Sequence, residues 1–183
     1  MPFPTSIPCV PKFLAGPMAL LPKAPLQLVL RHLGKQVASR HPEIFTRLGP
    51  HAEKRFLVVP TDLPFAFMLH PARPGRMIDV VDPLAAVAWD CRIAGSFAAL
   101  LGLMHGLYDG DGLFFSRDLA VEGDVESVLA LRNALDDADL DLFAELMGAL
   151  GSPGRIAAPA LRVPVKALAR ATGVALLRGE EFQ

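Results

Sequence analysis

The chain has 183 residues, a formal net charge of −1, 52% hydrophobic residues and a mean hydropathy of +0.37. That length supports one domain plus an extension, and the near-neutral charge argues against a dedicated nucleic-acid binder, which carries a basic excess or stripe. Its two cysteines, Cys9 and Cys91, show no CxxC or Cys/His ligand spacing, which argues against a zinc site or disulfide framework and fits a reducing cytoplasm.

Residues 1–25 hold seven of the seventeen prolines. Each proline removes an amide donor and clashes with the preceding turn, so the segment reads as a Pro-rich apolar arm and not as a continuous helix. It is either a loosely packed terminus or an arm that touches a membrane or partner, with Lys12 and Lys23 near anionic headgroups. No uncharged apolar run is long enough to span a bilayer, and the basic, apolar and small-residue succession of a signal peptide is missing.

From Leu26 the pattern changes to Leu26, Val29, Leu30, Leu33 and Val37 on one helical face, an amphipathic helix ending near Ser39. Pro42 suits the first position of a second helix through Leu48, stopped by Gly49-Pro50. Strands follow at Phe56–Val59, Phe65–Leu69 and Met77–Val81, punctuated by prolines and glycine. The run Val87–Ala94 alternates, with Val87, Trp89, Cys91 and Ile93 on one side, as a half-buried antiparallel strand would. Asp90 and Arg92 on its outer face read as a solvated pair.

Ser96 is a candidate N-cap for the apolar helix Phe97–Met104, closed by Gly106. A helix without a polar face is buried on every side or borders a cavity. The turn Asp109-Gly110-Asp111-Gly112 leads into Phe114-Phe115 and a short strand, Asp118–Glu122. Asp124 then caps a long helix in which Val128, Leu131, Leu135, Ala138 and Leu142 repeat at intervals of three and four, with Glu126 favoured by the helix dipole. The reading divides the chain into an arm (1–25), a domain (26–147), and a Gly/Pro linker with a C-terminal helix (148–183).

Nucleotide-binding, nucleophile-elbow and zinc-protease motifs are all missing from the sequence. The histidines His32, His41, His51, His70 and His105 are scattered, and His105 reads as a capping cation at a helix end. Asp109 and Asp111 begin a calcium loop but lack its remaining ligands, and Asp136, Asp137, Asp139 and Asp141 read as a solvated helix face or a docking surface. No nucleophile is assembled with a base, so no catalytic residue, metal or cofactor is expected.

These pieces resemble the sterol-carrier-protein type-two domain family over roughly Leu26 to Leu142. The resemblance rests on Trp89–Ser96 leading into the apolar helix, Leu113-Phe114-Phe115, the strand Leu119–Asp124, and the helix at Val128–Asn133. Within the family, Phe114–Leu119, Glu122-Gly123-Asp124 and Leu131–Asp136 are most similar to the UbiT branch of accessory factors in oxygen-independent ubiquinone biosynthesis. Two departures stand out: Arg117-Asp118-Leu119 replaces a common Gly-Lys-Leu, and Val125 replaces a frequent Thr.

The resemblance implies an α/β (α+β) sandwich, with a five-stranded, mostly antiparallel sheet covered by helices around a hydrophobic tunnel. It also implies a non-enzymatic role holding isoprenoid quinone precursors, a UbiU–UbiV-type hydroxylase pair as partner, and a cytoplasmic site with peripheral membrane contact. A polyprenyl tail in water costs about 0.8 kcal/mol per CH₂, which is a physical reason for such a container. Its expected lining is Phe97, Leu100, Leu101, Met104, Phe114, Phe115, Leu131 and Leu135, each of which also has an ordinary core explanation. The alternatives are a general carrier of sterol-like or fatty ligands and a ligand-free interaction module.

Overall fold

Helix α1 spans Lys23–Arg40 and buries Leu33, Gly34 and Val37 in the computed structural model, which describes residues 23–104, 119–138, 140–154 and 156–161. The helix starts three residues before the expected Leu26, because Pro25 falls in the first turn, where an amide has no intrahelical acceptor. The rest of the Pro-rich arm lies outside the described residues. Gly34 lets α1 approach the chain closely before the third strand, since a Cβ there would stand 3.1 Å from Met77 Cβ. Helix α2 is Pro42–Leu48, with proline in its first turn, and ends at Gly49 with φ of 51°. A 3₁₀ turn follows at Gly49–Glu53.

Strands β1 (Phe56–Pro60), β2 (Ala66–Leu69), β3 (Ile78–Val81), β4 (Cys91–Gly95) and β5 (Leu119–Gly123) form one sheet in the order β3-β2-β1-β4-β5. Three pairings are antiparallel, and β1 runs parallel to β4. The mostly antiparallel five-stranded sheet is thus observed. Its central pair is the exception.

The alternating run at Val87 enters the sheet only at Cys91. The Asp90 and Cys91 amides both donate to the Arg55 carbonyl, which brings the chain alongside β1 at that point and leaves Val87–Asp90 outside the strand. Both faces of this interior strand are covered, so Ala94 is buried as well as Ile93. Asp90 and Arg92 do not pair with each other: Asp90 binds Arg55, the residue before β1, and Arg92 binds Glu122 on β5.

Helix α3 (Phe97–Met104) is capped by Ser96, whose hydroxyl accepts from the Ala99 amide at 3.2 Å. Helix α4 (Val125–Asp137) opens on Asp124, whose carboxylate accepts from the Ser127 amide at 3.0 Å. The continuous helix expected through Leu142 is instead two helices. Asp141 caps α5 (Leu142–Ala149) by accepting from the Ala144 amide at 3.0 Å, and buried Ala138 and Leu140 fill the bend between α4 and α5. Residues 151–154 and 156–161 are helical where composition suggested a linker. Pro153 falls in the opening turn, where a missing N–H is tolerated.

The main core lies on the helical face of the sheet. Leu33 and Val37 from α1, Ile44 and Leu48 from α2, and Val128, Leu131 and Ala134 from α4 meet Phe56, Cys91 and Ile93 from the strands. The opposite face carries a smaller cluster of Leu57, Val59, Ala66, Met68 and Ala94 against Val81, Val87 and Trp89.

Candidate functional site

The period-two alternation of β1, β2 and β4 turns Val58, Leu69 and Ile93 toward the helices, where the packing leaves two apolar cavities. The first holds about 90 Å³ between α1, α2 and the β2–β3 end of the sheet, lined among others by Leu33, Val37, Ile44, Met77 and Leu140. The second holds about 50 Å³ between the sheet centre, α3 and α4, lined by Val58, Ile93, Leu100, Leu103 and Val128. Leu69, Leu131 and Leu135 line both. Among the described residues these are two neighbouring cavities separated by three side chains, where a single tunnel was expected. Each is far below the roughly 300–1,000 Å³ of pockets that enclose a drug-sized ligand.

Of the eight expected lining residues, Leu100, Leu131 and Leu135 come together at the second cavity. Phe97 and Leu101 line neither cavity. The Phe97 amide donates to Asp62 at 2.8 Å, which fixes the start of α3, and Leu101 is buried. The Met104 side chain, Phe114 and Phe115 lie outside the described residues, as do His105, Asp109, Asp111 and Asp139. The residues that sequence reasoning missed come from α1, α2 and the strands. Their apolar periodicity was visible, but not the packing that sets them across from α4.

The wall of the second cavity also contains Arg132. Its Nε stands 3.5 Å from Asp136 Oδ2 one turn along α4, and both Arg132 Nε and Asp136 Oδ1 are buried without a hydrogen-bond partner. The other acidic residues of this region have structural duties: Asp137 pairs with Arg47 of α2, and Asp141 caps α5. Asp137 is itself exposed, as a solvated helix face requires.

Groups with chemical potential elsewhere are tied into the fold. Ser127 Oγ lies 2.8 Å from His51 Nδ1, yet Ser127 has no exposed surface, so the pair links the 3₁₀ turn to α4 and offers no accessible nucleophile. Burial pushes the fully buried Cys91 thiol up, which makes it unreactive. Glu145 on α5 receives hydrogen bonds from Gln36 at 2.5 Å and Arg40 at 3.1 Å. Burial pushes its carboxyl up, but these partners outweigh that and hold it below the usual range. An open cleft of about 490 Å³ beside the β3 edge is lined by Arg31, Arg55, Arg73 and Arg76, of which Arg55 and Arg76 are paired with Asp90 and Asp79. Among the described residues no three His, Cys, Asp or Glu side chains group as metal ligands, and no helix is long and apolar enough to cross a membrane.

A family model described as the SCP-2 sterol transfer family matches residues 32–136. No curated protein matches the chain significantly. Among solved structures, a UbiJ-SCP2 ubiquinone synthesis protein is 23% identical with a TM-score of 0.49, covering 64% of this chain and 99% of its own. Sterol carrier protein 2 from Yarrowia lipolytica, in its apo form, is 17% identical with a TM-score of 0.41, covering 61% of this chain and 88% of its own. The sterol carrier protein domain 2 of Helicoverpa armigera is 14% identical, with the same TM-score and coverage.

Proposed function

The chain belongs to the SCP-2 sterol transfer family, and we propose that it is a non-enzymatic lipid-binding factor whose apolar layer between sheet and helices takes up an isoprenoid chain. The observation that carries this reading is the pair of apolar cavities meeting at Leu69, Leu131 and Leu135. Rotation of those three side chains joins the cavities into one channel, whose lining is apolar apart from Arg132. Leu69 and Leu135 are only partly buried, so two of the three have room to turn.

The ligand assigned here is a ubiquinone precursor, held for hydroxylation by a UbiU–UbiV-type pair in oxygen-independent biosynthesis. That assignment is supported by the resemblance of Phe114–Leu119, Glu122–Asp124 and Leu131–Asp136 to the UbiT branch. The protein then works in the cytoplasm with peripheral membrane contact, because its ligand partitions into the bilayer. The departure at Arg117-Asp118-Leu119 separates this reading from general sterol or fatty-lipid transfer.

The small size of both cavities favours a second reading, a ligand-free interaction module. Extraction of bound lipid separates the two, and deletion of the gene tests the pathway. The lipid-binding reading expects ubiquinone to be lost under anoxia and retained in air, whereas unchanged quinone under both conditions removes its pathway assignment.

A further inference from the structure

Buried polar groups in folded proteins are hydrogen-bonded with few exceptions, and an unmet donor or acceptor is destabilising. Arg132 Nε and Asp136 Oδ1 are such exceptions. They sit one turn apart on α4: Arg132 is the one charged residue in the otherwise apolar lining of the second cavity, and Asp136 follows it along the helix. The 3.5 Å between Arg132 Nε and Asp136 Oδ2 exceeds the roughly 2.7–2.9 Å of a charge-assisted hydrogen bond. The helix therefore presents one unused N–H donor beside one unused carboxylate acceptor. The remainder of each side chain reaches solvent, at 25% and 32% exposure, so the pair marks a polar mouth to an apolar space.

A single group satisfies both atoms: a hydroxyl, which accepts through a lone pair and donates through its proton. We propose that Arg132 and Asp136 select the ligand's head group, Arg132 Nε–H donating to a phenolic oxygen and Asp136 Oδ1 accepting the phenolic proton, while the prenyl tail lies toward Leu131 and Leu135. This rests on the lipid-binding reading and narrows it. A methyl ether lacks the proton that Asp136 accepts. A quinone carbonyl presents only lone pairs, which face the carboxylate unfavourably. The site therefore holds a prenylphenol and releases the corresponding quinone.

The test is a fluorescence or calorimetric titration of the full chain with 2-farnesylphenol, its methyl ether and farnesyl-1,4-benzoquinone. It is repeated on the Arg132→Gln/Asp136→Asn variant after its thermal midpoint has been checked. The expected result is a preference for the phenol over the ether and the quinone of roughly tenfold or more, which the variant abolishes. Equal affinities for all three probes in the unaltered chain would overturn the head-group role, assign the gap to an ordered water, and leave the lipid-binding reading standing. A preference that persists in the variant overturns the role of these two residues. Failure of every probe to bind removes the lipid-binding reading itself, and the head-group role with it.

Discussion

Gln27 closes the edge of the sheet at Val80. Its side-chain carbonyl accepts from the Val80 amide at 2.7 Å, and its NH₂ donates to the Ile78 carbonyl at 2.7 Å. An edge strand leaves such groups open to pairing with another chain, and here one amide from α1 does the work of a neighbouring strand. Gln27→Ala is expected to lower stability by about 1–3 kcal/mol, because two half-buried backbone groups lose their partners. Urea unfolding measures the loss, and amide exchange localises it. An unchanged protection factor at Val80 would contradict the assignment.

Two carboxylates make the fold acid-sensitive. The Arg55 side chain and backbone amide hold Asp90 at about 2, and the Ser127 amide, with the Ser127 hydroxyl and Lys54, holds Asp124 at about 2, against an ordinary 3.8. Folded-state values below the unfolded ones contribute stability that is fully present above the unfolded value and lost as pH falls through the folded one. The urea midpoint is therefore expected to drop as pH falls from 3.8 toward about 2. Asp90→Asn/Asp124→Asn should flatten that profile. A double variant with the same acid slope as the parent would show that other groups control it.

Gly123 joins β5 to α4 with φ of 84° and has no room for a side chain: a Cβ would stand 2.3 Å from the Asp90 carbonyl oxygen and 3.0 Å from the Trp89 ring. The same carbonyl accepts the Asp124 amide at 3.1 Å, so moving it disturbs the helix start. Gly123→Ala is expected to cost more than about 1 kcal/mol, since alanine is disfavoured at positive φ and must displace backbone. Thermal unfolding should show this as a lower Tm, whereas the same substitution at exposed Gly75, where nothing lies within 4 Å, should change it little.

Features set by near neighbours were legible in the sequence. The caps Ser96 and Asp124, the proline start of α2, the buried stripe of α1 and the Leu131/Leu135 repeat all follow from residues within two turns of one another. What depended on distant partners was not. The parallel placement of β4 beside β1 follows from Arg55 receiving Asp90 and Cys91, 35 and 36 residues away in sequence. The break before α5 was concealed because Leu142 keeps the apolar spacing of α4 while Asp141 takes the cap. Phe97 and Leu101 line neither of the two cavities, and α3, apolar all round, has no polar face in its sequence to show which side turns toward α4. The α1 and strand residues of the first cavity follow ordinary core patterns, and only the packed fold sets them opposite Leu131.

Leu135 is a helix wall that can be filled with little disturbance, since it lines both cavities and, unlike Leu131, is only partly buried. Leu135→Trp is expected to occupy the shared space and weaken farnesylphenol binding by roughly tenfold or more, the loss of several buried CH₂ contacts at about 0.8 kcal/mol each. Leu131→Ala acts on the core instead. It enlarges the space and costs about 2–5 kcal/mol of stability, which a bound chain partly restores as a Tm increase on adding the lipid.

The central claim is that the layer between sheet and helices holds an isoprenoid lipid. Its most direct measurement is organic extraction and mass spectrometry of the full chain purified from anaerobically grown cells, followed by titration of the delipidated protein with a polyprenylphenol. The predicted result is a polyprenylphenol recovered in stoichiometric amount and rebound saturably after removal. Protein that yields no quinone precursor and binds no added polyprenylphenol would contradict the claim.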